Sequence, residues 1–135
     1  MEGTTLEVLT RQECYRLLHE SAGEIGRVAM TFGALPAILP VNYAMLDDTI
    51  VFRTGQGTKL HAAIRNAVVA FEVDASDASS GWSVLIVGHA AEVTEPPEVA
   101  SALAVIPDGW VPGEHEHVVR ITFSRVSGRR IQRHA

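Results

Sequence analysis

The sequence predicts a mainly β domain with short helices, its six or seven strands forming a largely antiparallel sheet closed into a barrel. Three observations predict it. After one helical segment, the hydrophobic pattern switches to a period of two in several successive stretches. Most of these stretches are joined by tight polar turns such as Leu46-Asp47-Asp48. Regular alternation of strands with helices is missing, which disfavours a doubly wound parallel fold, whereas closure removes the open edges of an antiparallel sheet.

Taken in order, Thr10 to Ala22 reads as the first helix. Thr10 and Glu13 form a T-x-x-E capping box, and Cys14, Leu17, Leu18 and Ser21 fall on one stripe. Gly23 is placed to end it. Ile25 to Thr31 is a strand. Ala37 to Met45 is another, and Pro40 inside it marks an edge or a bulge, because proline donates nothing to a ladder. Thr49 to Thr54 returns as its hairpin partner. Thr58 to Asn66 reads as a short helix, Val68 to Asp74 as a central strand, and Trp82 to Val93 as a long strand bent at Gly88. Pro96-Pro97 opens a helix through Ile106. Val118 to Phe123 and Val126 to Ile131 close the chain as two strands, with Arg125 near the turn between them.

The 135 residues suit one domain, 1–135, with no repeat or linker. Apolar residues make up 47% and charged residues 20%, enough for a buried core. A net charge of -5 argues against a general nucleic-acid partner, which needs a basic stripe. The apolar runs are too short to span a bilayer. The opening MEGTTLEVLTRQE does not read as a signal peptide, and one cysteine forms no internal disulfide, so the expected compartment is the cytoplasm.

The stretch VFRTGQGTKL, residues 51 to 60, sets Arg53, Thr54, Gly55, Gly57, Thr58 and Lys59 at one strand-to-helix junction. The glycines let the backbone turn and expose N–H groups. Thr58 is placed to cap the following helix, whose N-terminus attracts anions. Lys59 lies in the first turn, where a cation is unfavourable and a bound phosphate offsets it. The spacing is not that of a nucleoside triphosphatase loop. The plain alternative is an ordinary turn with surface charges. Pro40-Val41-Asn42 is a second candidate: the proline breaks the ladder and leaves backbone groups for a ligand, against the plain reading of an edge strand with an outward Asn. Trp82-Ser83 is a third, offering a flat cover and a hydroxyl, against the plain reading of a core Trp. His115-Glu116-His117 puts two imidazoles on one strand face with no evident third ligand, so no metal is expected. Cys14 reads as packing, and Gly128-Arg129-Arg130 as a basic spot that is surface charge, a phosphate contact or a contact to a partner subunit.

In order along the chain, E-C-Y-R-L-L (13–18), G-R-V-A (26–29), P-V-N-Y (40–43), F-R-T-x-x-G-x-K-L (52–60), V-A-F-E-V-D (69–74), G-W-S-V (81–84) and G-R-R-I (128–131) resemble the pyridoxamine 5′-phosphate oxidase-like family of FMN-binding split β-barrels, in its small single-domain branch. The likeness spans about residues 6 to 131. It implies a homodimer with flavin mononucleotide (FMN) at the subunit interface. Arg53, Thr54, Thr58 and Lys59 would surround the phosphate, backbone of Pro40, Val41 and Asn42 would face the ring, and Trp82 and Ser83 would approach from the fifth strand. It further implies a flavin-dependent oxidoreductase of unknown substrate, or a non-catalytic flavin sensor or carrier. The family also holds barrels that bind a deazaflavin coenzyme or haem; His61 or His89 would serve haem here. Thr58-Lys59 stands where the true oxidases have an Arg-Lys pair, and the chain stops at Ala135 soon after GRRI, which argues against vitamin B6 oxidation.

Overall fold

The computed structural model describes residues 3–55, 67–107 and 117–134. Eight strands and two helices lie in these segments: β1 (Gly3–Val8), α1 (Arg11–Glu20), β2 (Ile25–Phe32), β3 (Leu35–Asn42), β4 (Ala44–Leu46), β5 (Thr49–Thr54), β6 (Ala67–Ser76), β7 (Ser80–Val93), α2 (Pro96–Val105) and β8 (His117–His134). All strand pairings are antiparallel, in the order β3-β2-β6-β7-β8-β5-β4, with β1 on the far half of β8. The sheet curls into a half-barrel. The expected helix over Thr58 to Asn66 lies outside the described residues.

Period-two alternation decides the faces. Val28, Phe71, Val73, Val84, Ile86, Val119, Ile121, Ile50 and Phe52 all point inward and are buried. At roughly 25 cal/mol per Å² of apolar area this interior is the main source of stability. The N-terminal helix α1 closes on it with Cys14, Leu17 and Leu18. Its capping box is complete: the Thr10 hydroxyl accepts the Glu13 N–H, and the Glu13 carboxylate accepts the Thr10 N–H at 3.1 Å each. The Thr10 N–H and the Thr10 hydroxyl, both donating to it, hold the Glu13 carboxyl below its usual range. A second, smaller cluster lies on the opposite face, where Ala102 and Ile106 of the α2 region cover Ala44, Val51, Val93 and Val118.

Three expectations change. The last two strands are one continuous β8, and there is no turn at Arg125. Val87 pairs with Arg125 and Gly88 with Phe123, so Ser124 is the extra residue of a β-bulge. Gly88 is required there, because a Cβ would sit 2.3 Å from the Thr122 carbonyl oxygen. The Ala37 to Met45 stretch is two strands: β3 pairs with β2, and only β4 forms the hairpin with β5. The break falls at Tyr43, whose carbonyl accepts the Gly23 N–H at 2.8 Å and whose N–H donates to Glu24 at 3.4 Å. Finally, β1 joins the sheet although every one of its residues is exposed and it shows no alternation. Pro40 does lie on a sheet edge, since β3 ends the strand order and pairs only with β2.

Candidate functional site

The candidate site lies where β3 leaves the β4–β5 ladder. Ala44 pairs with Val51. Counting that register back past Tyr43 brings Asn42 level with Arg53, and β3 and β5 come into contact. Tyr43 anchors the departure. Its ring is fully buried edge-on to Phe71, and its hydroxyl donates to the Leu18 carbonyl at 2.8 Å. Burial pushes the phenol up from its ordinary value. Beside it, Val41 is buried, Pro40 is exposed, and Asn42 is half-buried with its amide donating to the Gly23 carbonyl at 3.3 Å.

On β5, strand alternation splits Arg53 and Thr54 between faces. Thr54 is 2% exposed and follows Phe52 on the inner side. Arg53 follows Val51 on the outer side, and its buried Nε finds no hydrogen-bond partner among the described residues. A buried donor on a permanent cation is costly when unmet and is well matched to an oxyanion. Thr58 and Lys59 lie outside the described residues.

Two further groups border this end of the sheet. Arg120 was not singled out from the sequence. Val51 pairs with Arg120 and Arg53 with Val118, so the two arginines are diagonal neighbours on the outer face. The Arg120 Nε is likewise buried without a partner among the described residues, and its guanidinium reaches Glu98 of α2 at 3.2 Å. The alternation in VVRITF was the available signal: it sets Arg120 opposite in face to Val119 and Ile121. On the inner face, His117 pairs with Thr54 in the ladder and meets the Glu92 carboxylate at 2.6 Å. His115 and Glu116 lie outside the described residues.

Trp82 and Ser83 are elsewhere. Trp82 is half-buried against the main core, and Ser83 is half-buried on the outer face. Ser83 precedes Val93 by ten residues of β7, and Val93 pairs with Val118, the partner of Arg53. At ~3.3 Å per residue that is about 30 Å along the strand. The structure therefore brings β3, which carries Pro40, Val41 and Asn42 at its end, into contact with β5, which carries Arg53 and Thr54, and within one chain it does not bring Trp82 and Ser83 to them. A cavity of about 360 Å³ between α1 and β6 is lined by Glu20, Glu24 and Asp74. Three carboxylates make it unsuited to a phosphate.

Comparison with known proteins agrees with this architecture. Residues 10–130 match the family profile described as pyridoxamine 5′-phosphate oxidase. An uncharacterised protein of Mycobacterium tuberculosis is 38% identical over 130 residues, covering 91% of this chain and 84% of the relative. The solved structure of the FAD binding protein from Mycobacterium smegmatis is 34% identical with a TM-score of 0.82, covering 93% of this chain and 98% of that one. A solved protein of Corynebacterium glutamicum is 29% identical with a TM-score of 0.84, covering 95% and 99%. With the family profile matched over nearly its whole length and the same antiparallel barrel beneath it, the chain belongs to the pyridoxamine 5′-phosphate oxidase family of split barrels.

Proposed function

We propose that the protein binds a flavin nucleotide where β3 meets β5 and acts, as a homodimer, as a flavin-dependent oxidoreductase. The observation that carries this reading is Arg53, whose buried Nε lacks a partner among the described residues beside the open edge at Pro40. A phosphate supplies the missing acceptor. FMN is the smallest flavin that brings one, with Thr54, Thr58 and Lys59 completing the cradle. Backbone of Pro40, Val41 and Asn42 lies along the ring.

The bound flavin carries the electrons; the chain holds the ring, neutralises the phosphate and excludes water. FAD is the second reading, favoured by the FAD binding protein from Mycobacterium smegmatis at 34% identity. Its pyrophosphate would engage Arg120 together with Arg53. Trp82 and Ser83 belong to the same site only if a second copy contributes them. No described helix is long and apolar enough to cross a membrane, and the single cysteine is buried and free. A reducing cytoplasm fits that chemistry.

The test is a titration of riboflavin, FMN and FAD into the wild type, Arg53→Gln and Lys59→Glu, followed by flavin fluorescence. The expected result is tight FMN binding that each substitution weakens by about tenfold or more, while riboflavin, which has no phosphate, changes little. Equal weakening of riboflavin and FMN puts the phosphate elsewhere and sinks the assignment.

A further inference from the structure

Where β5 ends, three polar side chains from three strands share the inner face. His117 begins β8 and pairs with Thr54, the last residue of β5. Glu92, near the end of β7, pairs with Val119. Alternation sets Glu92 on the side of the buried Ala90, His117 on the side of the buried Val119 and Thr54 on the side of the buried Phe52. The His117 Nδ1 lies 2.6 Å from a Glu92 carboxylate oxygen, and the two side chains are 23% and 22% exposed. A partly buried pair of this kind gives little net stability, because desolvation offsets most of the attraction. Its place beside Thr54 gives it another use.

We propose that Glu92 and His117 tune the phosphate site by charge: a proton on His117 strengthens binding of the flavin phosphate, and its loss weakens it. The inference rests on the flavin nucleotide reading above, since it takes Arg53 and Thr54 as holders of the phosphate. An imidazole Nδ1–H can donate to the carboxylate in both protonation states, so the hydrogen bond persists and only the charge changes. With an imidazolium the pair is neutral. With a neutral imidazole it carries one negative charge, a single ladder step from Thr54, where paired Cβ atoms are about 5 Å apart. A negative charge within roughly 8 Å of a phosphate, in a partly screened site, changes affinity about fivefold or more. The coupling is reciprocal: a bound phosphate draws the proton onto His117, and loss of the proton favours release. The other described groups nearby keep their charge in this range. Phe52, Thr54, Ala90 and Val119 have none. Arg53, Arg120 and its partner Glu98 lie on the opposite face. Burial pushes the Tyr43 phenol up and keeps it neutral.

The test is a titration of FMN and riboflavin into the wild type, His117→Gln, Glu92→Gln and the double variant, at about pH 5.5 and about pH 8.5, on either side of the ordinary imidazole range. Circular dichroism checks that each variant folds. Charge fixes the signs. At the higher pH the wild type and His117→Gln both carry the uncompensated carboxylate. Glu92→Gln removes it and is expected to bind FMN about fivefold or more tightly than either. At the lower pH the wild type is expected to bind FMN about fivefold or more tightly than His117→Gln, and the double variant to recover that affinity. Riboflavin follows none of these changes. A purely structural pair gives the opposite sign at the higher pH, because breaking its hydrogen bond only loosens the site. The phosphate's own second ionisation, near pH 6, is common to all four proteins and cancels when they are compared at one pH, as do His61 and His115, outside the described residues. If His117→Gln does not fold, Glu92→Gln at the higher pH decides alone. If Glu92→Gln there binds FMN no more tightly than the wild type, the inference is overturned, and a wild type that prefers FMN to riboflavin leaves the Arg53 site standing. A wild type that binds FMN no more tightly than riboflavin at either pH overturns both.

Discussion

The two halves of the outer sheet face are finished in different ways. Around Val51, Val93 and Val118 the chain covers its own apolar surface with α2, and Ala102 and Ile106 complete a small second core. Around Leu85 and Val87 no element of the described chain covers the face, although Leu85, Val8, Leu6 and Ile131 are all exposed there. The bulge at Gly88 lies between the two halves. The difference teaches that apolar residues on the outside of this barrel are not all treated alike: one half stabilises the monomer under a helix, and the other stays exposed among the described residues.

Substitutions can break that comparison directly. Val51→Asp places a charge in the covered half, at a position with no exposure, and is expected to cost about 2 kcal/mol or more, because desolvating a carboxylate and losing the valine packing outweigh what pairing with Arg120 across the ladder returns. Urea unfolding measures it; a change under ~1 kcal/mol means α2 is not a true cover. Gly88→Ala probes the boundary. The added Cβ meets the Thr122 carbonyl and the Ile121 side chain, and an overpacking cost of about 1–3 kcal/mol is expected by the same measurement.

Glu72 sharpens the open half through pH. Its carboxyl is pushed up to about 7, first by desolvation, then by the Asp74 carboxylate. A folded-state value raised above the ordinary 4.5 means the folded chain holds the proton more tightly than the unfolded chain. That contribution is complete below pH 4.5, falls as pH rises toward 7 and is gone above it. With the side chain one-third exposed, solvent screening limits it to about 1 kcal/mol or less. Glu72→Gln should remove this slope and raise stability slightly at pH 8; an unchanged slope assigns it to other groups. Leu85→Asp has the smallest expected effect on the monomer, within about 0.5 kcal/mol. If it unfolds the monomer, the open half is not open.

What the sequence disclosed follows the range of the physics. The capping box of α1 is a contact three residues long, and Thr10 and Glu13 announce it. The inward face of β6 and β7 follows from alternation alone. Pro40 marked an edge because a missing N–H is a property of one residue. The junction at Arg53 stood out because its residue types suit an anion at any register. What failed needed partners distant in sequence. The break at Tyr43 depends on Gly23 and Glu24. Ser124-Arg125 looked like a turn, and only its pairing with Val87-Gly88 makes it a bulge. The strand β1 offers only Leu6 and Val8 on one face, both exposed and too few to mark a strand, and is held by β8. The separation of Trp82 and Ser83 from Arg53, and the convergence of Thr54, His117 and Glu92, exist only once the registers of three strands are combined.

The proposal's central claim is that Arg53 holds the phosphate of a flavin nucleotide. The most direct measurement is a titration of FMN and riboflavin into the wild type and Arg53→Gln. The account predicts that the substitution weakens FMN binding about tenfold or more and leaves riboflavin nearly unchanged. Equal weakening of the two, or no weakening of FMN, would contradict it.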